Sequence, residues 1–171
     1  MMKRTIIALY TLVAMGIVGC SSSQPPDDEA QIRKLIEDAG TLAEQKKIKE
    51  LMAMTTKDLV VDPGQRDRQA TKVTLFAAFR FYQKFQIKYP RPMVTVDETT
   101  RHGEATFPFV IVREGVDFPD LKSLYNDPNS WLEQVGKIAD LYHLTVWLTK
   151  DDDTWLVSKA HIQGTKRFGE F

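Results

Sequence analysis

Apolar residues first recur at helical spacing at Ile32, Leu35, Ile36, Ala39, Leu42 and Ala43, which fall on one stripe. Asp27 and Asp28 stand where a helix start needs acceptors, and Lys46 and Lys47 stand where its end favours cations. The spacing predicts an amphipathic helix, followed by a short second helix over Ile48, Leu51 and Met52. The β-branched run Leu59-Val60-Val61, halted by Asp62-Pro63-Gly64, predicts a strand ending in a turn. A third helix is expected from Gln69 to Lys88 as the principal core helix. Leu75, Phe79 and Tyr82 share a stripe on it, Phe76 lies beside them, and Phe81 and Phe85 stand one turn apart.

After Pro90 and Pro92 the pattern changes to period two. With His102-Gly103 as a two-residue turn, Val96 faces Phe109 and Val94 faces Ile111. One face then carries Val94, Val96, Ala105, Phe107, Phe109 and Ile111, and the other Thr95, Asp97, Thr99 and Thr106. Glu114 to Asn126 shows no clear period. Asp127-Pro128 marks a helix start, with Trp131, Leu132 and Val135 on the apolar side. A last hairpin, Leu141 to Thr149 and Thr154 to Gln163, closes around Asp151-Asp152-Asp153. A three-residue turn pairs Leu148 with Leu156 and Tyr142 with Ile162. It leaves Trp147, Trp155, Val157 and the directly opposed His143 and His161 on the other face.

The chain begins with cationic Lys3-Arg4 and an apolar stretch from Thr5 to Val18, shorter than the roughly twenty residues a spanning helix needs. It ends Ile17-Val18-Gly19-Cys20, which resembles the lipobox of bacterial lipoproteins. Small Gly19 leaves room for the peptidase, and the Cys20 thiol is the nucleophile that takes the diacylglyceryl group. The expected organisation is therefore a signal peptide over 1–19, a lipidated tether over 20–28, one domain over 29–163 and a tail over 164–171. Several acyl chains anchor firmly where one binds marginally. Ser21 lacks the aspartate associated with inner-membrane retention, which points to an outer-membrane anchor facing the periplasm in a two-membrane cell.

Cys20 is the single cysteine, so acylation leaves no thiol for a disulfide, a thiolate metal site or a nucleophile. Removing Lys3 and Arg4 from 23 basic residues leaves 21 against 23 acidic, and no bulk positive field recommends nucleic acid.

The order of elements resembles the NTF2-like superfamily, with its SnoaL-like, ketosteroid isomerase-like and cystatin-like rolls. The likeness rests on that order and on Leu51 to Pro63 and Tyr142 to Ile162, with Trp155 near the start of the last strand. It implies an α+β fold in which N-terminal helices pack on a curved antiparallel sheet, forming a cone around a pocket. Phe79, Tyr82, Phe109 and Tyr142 are the expected lining. Members include isomerases, dehydratases, small hydrolases, transport adaptors and proteins of no known activity, and many are dimers joined through the sheet.

By that resemblance Asp62 is the candidate general base for proton abstraction beside a carbonyl, with Glu98 and Tyr82 as candidate oxyanion donors. The plainer reading has Asp62 making an Asx-turn before Pro63 and Glu98 reaching solvent. His143 and His161 supply two ligands where zinc wants at least three from protein. Together with Trp147 and Trp155 they suit a covered or subunit-facing sheet surface. No metal and no cofactor are expected. The favoured function is a non-enzymatic, membrane-anchored module of the cell envelope. Its expected partners are a small apolar ligand, a second copy or an envelope protein. The alternative is a lyase or isomerase using Asp62.

Overall fold

The computed structural model describes residues 27–164, Glu98 and Val116 excepted. The leader, Cys20 and the tether to residue 26 lie outside the described residues, as do Glu98 and the tail from 165. Helix α1 (Asp28–Glu44) forms where the apolar stripe predicts it. The Asp27 carboxylate accepts the Glu29 backbone N–H at 3.3 Å, and Asp28 and Glu29 sit in the electropositive first turn. Lys46, at φ 59°, turns the chain towards α2 (Ile48–Ala53) and β1 (Thr55–Asp62).

Asp67 caps α3 (Arg68–Tyr82) by accepting the Ala70 N–H at 2.7 Å. The helix stops at Tyr82, not at Lys88, because Phe85–Lys88 forms β2 along β4. Phe81 and Phe85 satisfy a helical spacing, but Phe85 and Ile87 also satisfy period two, and the open edge of β4 decides between them. Nor is α3 the principal core helix. It packs on β1 and α2, so Phe79 is its buried residue while Phe76 and Phe81 are exposed. Helix α1 fills the central place instead, with Ile32 and Ile36 buried against the sheet.

β3 (Met93–Asp97) pairs with β4 (His102–Arg113), but Asp97 stands opposite His102 and Val94 opposite Ala105. The expected turn at His102-Gly103 is therefore wrong. Asp97 accepts backbone N–H groups from Thr99 and Thr100, and the positive φ of the turn falls on Arg101. Gly103 serves close packing: a Cβ there would lie 2.6 Å from the Ile32 Cδ1 and 3.4 Å from the Trp155 ring. The register error is an even number of residues, so Val94, Ala105 and Phe107 still face one core as expected.

Further along β4 the opposite face is buried too. Val110 and Val112 pack with Trp131 and Val135 of α5 (Pro128–Ile138), while α4 (Leu121–Asn126) precedes it. Asp127 caps α5 with Pro128 in its first turn, as read from the chain. The sheet runs β1-β6-β5-β4-β2, with β3 also on β4. It is antiparallel except that β1 runs parallel to β6.

In the last hairpin, β5 (Ala139–Asp151) and β6 (Thr154–Gly164) meet at a two-residue turn, with Asp151 opposite Thr154. An irregularity at Ser158 then shifts the register, and the Ser158 hydroxyl donates to the Trp147 carbonyl at 3.1 Å. His161 therefore faces Thr145 and His143 faces Gln163, so the two imidazoles are not direct neighbours.

Gly103→Ala is expected to lower unfolding stability by about 1–3 kcal/mol, because its methyl overlaps a fully buried isoleucine. Urea denaturation measures this. Adding Ile32→Val should recover part of the loss, and an unaltered midpoint for the single variant would contradict the packing argument.

Candidate functional site

On the face of β5 that carries Val146 and Leu148 into the core, the same alternation places Asp140 and Tyr142. Tyr82, the last residue of α3, meets them. Its hydroxyl donates to Asp140 Oδ2 at 2.8 Å and lies 3.0 Å from the Tyr142 hydroxyl. With its one proton directed to Asp140, Tyr82 accepts from Tyr142, giving a chain polarised towards the carboxylate. Burial, then the bonds to Tyr142 and Asp140, push the Tyr82 phenol far above its ordinary range, so it stays protonated.

Aromatic rings surround this chain. Phe109, opposite Tyr142 on β4, stacks on it with centroids 5.2 Å apart. Phe85 lies 5.8 Å from Tyr82 and stacks on Phe79 at the same spacing. Phe79, Tyr82, Phe109 and Tyr142 are thus brought together. Asp140 was missed, because it stands one residue before the expected strand start at Leu141. Its spacing of two from Tyr142 is the signal that a correct strand boundary would have supplied.

Asp62 lies elsewhere. Leu59 and Val61 of β1 point into the core, so Asp62 belongs with Val60 on the opposite face. Its carboxylate accepts the Gln65 side chain at 2.6 Å and the Gln65 backbone N–H at 3.4 Å, and lies 3.4 Å from Lys159 Nζ. Burial pushes its pKa up, but the bonds from Lys159 and Gln65 outweigh this and leave it below the ordinary carboxylate value. Asp62 and Tyr82 are therefore on opposite faces and do not form one constellation.

The face on which Asp62 lies holds a polar row. The Trp147 indole donates to Glu104 at 3.0 Å, and Lys159 lies 5.2 Å over its ring. Trp155 is not on this face. The two-residue turn places it with the core, 3% exposed, where its indole donates to Asp28 at 3.1 Å. Lys150 reaches the same Asp28 oxygen at 2.5 Å. These three residues, with Arg101, Asp152 and Asp153, line an open polar cleft of about 490 Å³ at the start of α1. Neither Tyr82 nor Asp62 lines it. Among the described residues, no three His, Asp or Glu side chains are placed to hold a metal ion.

No protein-family model matches the chain, and no curated protein matches it in sequence. Solved structures do match. An NTF2-like protein of unknown function from Pseudomonas putida aligns with a TM-score of 0.62 at 12% identity, over 82% of this chain and 89% of that one. A ketosteroid isomerase-like protein from Erwinia carotovora atroseptica aligns with a TM-score of 0.57 at 13% identity, over 83% and 99%. Bd1075 of Bdellovibrio bacteriovorus aligns with a TM-score of 0.59 at 9% identity; 81% of this chain matches, spanning 41% of that protein. The chain has the NTF2-like, cystatin-like fold, with N-terminal helices packed on a curved sheet. Identities this low speak to fold and not to activity.

The Lys150 bond holds the Asp28 carboxyl below its ordinary value, against opposing burial and with help from the Trp155 bond. A carboxyl depressed in the folded state adds stability above its unfolded pKa and loses it as pH falls through its folded pKa. Asp28→Asn should therefore lower stability at neutral pH and flatten the acid side of the stability profile. Urea unfolding at stepped pH tests this, and parallel profiles for the two proteins would contradict it.

Proposed function

We propose that the chain is a lipid-anchored NTF2-like domain of the bacterial cell envelope, facing the periplasm in a two-membrane cell. It acts as a non-enzymatic binding module whose recognition surface is the aromatic inner face around Tyr82 and Tyr142. The observation that carries this reading is the separation of Asp62 from that face. The carboxylate offered as a general base is held by Lys159 and Gln65 across the sheet, below the pKa that suits proton abstraction. The inner-face polar groups bond to one another. The chain from Tyr142 to Asp140 leaves acceptor capacity on both, and rings surround it, so a small apolar ligand bearing a hydroxyl donor suits it.

A second reading, a lyase or isomerase, is favoured by the same chain of groups. Tyr82 is held protonated, and in this reading its one proton turns from Asp140 to a developing oxyanion when substrate binds. In that reading Tyr82 and Asp140 do the work and Asp62 does not.

Native mass spectrometry of the soluble domain from Ser21, purified without detergent, tests the favoured reading. It predicts a subunit mass with a retained organic molecule, whose occupancy falls in Phe109→Ala and is unchanged in Asp62→Asn. An empty wild-type protein, or ligand loss in Asp62→Asn alone, would overturn it. Chemical conversion of the retained molecule that stops in Tyr82→Phe would select the second reading.

A further inference from the structure

The chain is balanced at 23 basic and 23 acidic residues, but the balance is not local. From Arg68 to Val96 it contains Arg68, Lys72, Arg80, Lys84, Lys88 and Arg91 and not one Asp or Glu. The same stretch exposes large apolar side chains on α3: Val73 is 59% exposed, Phe76 57% and Phe81 66%. At helical spacing Val73, Phe76, Ala77 and Arg80 lie within one arc, opposite Leu75, Phe79 and Tyr82, and Phe81 lies at the arc's margin. Arg80 stands 6.0 Å over the Phe76 ring, and Arg113 from β4 stands 5.3 Å over Phe81. Asp67 caps the helix, Asp140 accepts from Tyr82 on the inner side, and Glu114 pairs with Lys84 at 3.0 Å.

We propose that this outward face of α3 rests on an anionic bilayer surface, with Val73, Phe76 and Phe81 at the headgroup boundary and Lys72, Arg80 and Arg113 on lipid phosphates. An outward helix face, apolar and basic without an acid, has the composition of an interfacial helix, whose cations keep their charge among headgroups while their stems cover apolar surface. A flat anionic surface satisfies the whole arc at once, whereas a protein partner would have to supply acids at several separate places. The inference deepens the envelope reading and rests on its Cys20 anchor for proximity. The seven residue-to-residue steps from Cys20 to Asp27 reach at most about 25 Å when extended, so the domain stays against the surface that holds its lipid.

The full chain reconstituted into vesicles provides the test, with hydrogen exchange read in the Arg68–Tyr82 peptide. Vesicles of phosphatidylcholine alone are compared with vesicles that also contain phosphatidylglycerol. The expected result is slower exchange in this peptide on the anionic vesicles only, lost in Phe76→Ser/Phe81→Ser and weakened in Arg80→Gln and by added salt. Both substituted phenylalanines are exposed, and circular dichroism verifies that the variants keep their fold. No protection on either surface, or equal protection on both, overturns the proposal and leaves the face to a protein partner. The Cys20→Ala chain separates the two readings: it loses acylation, and protection of the α3 peptide that persists on anionic vesicles belongs to the helix face and not to the anchor.

Discussion

The seat of α1 on the sheet is the constraint from which the other placements follow. Gly103 has no side chain where Ile32 arrives, and Ile32 is completely buried there beside the Trp155 ring. At the same end of the helix, Asp28 receives both the Trp155 indole and the Lys150 ammonium. Apolar packing and a half-buried ion pair thus act on one turn of helix. Breaking the pair by removing one partner costs more than the pair itself contributes, since the other charge remains partly desolvated.

With α1 in the centre, α3 is left at the margin of the sheet. That position explains two things at once. Its inner side delivers Tyr82 to Asp140 and Tyr142, and on its outer side Phe76 and Phe81 stay exposed among the described residues. The early stop of the helix at Tyr82 releases Phe85–Lys88 to lengthen the sheet on β4. Opposite that strand, Val110 and Val112 turn to the other face and are covered by α5, so the sheet has a core on each side.

Much of this was legible along the chain, and the failures have physical reasons. The stripe of α1 and the Asp127-Pro128 start of α5 are local signals, and both elements formed as expected. The inward face of β4 around Ala105 and Phe107 was legible even with a wrong turn, because side-chain parity survives an even shift. Gly103 misled because glycine permits a tight turn and a close approach equally, and only tertiary packing distinguishes them. The irregularity at Ser158 has no local signature, and together with the two-residue turn it put His161 opposite Thr145 and not His143. Trp155 followed the same error in turn length. At the site, four aromatic candidates were named and came together, whereas Asp62 was chosen by resemblance and lies across the sheet. The basic character of α3 was hidden because net charge is a sum over the whole chain.

The central proposal is a lipid anchor at Cys20 that keeps the domain close to a membrane, with the aromatic inner face proposed for recognition. Its most direct test is the mass of the N-terminal peptide from protein extracted from the membranes of the cells that make it. The expected result is a chain that begins at Cys20 and carries added acyl mass on that residue. A chain that retains Met1 to Gly19, or one that begins at an unmodified Cys20, would contradict it.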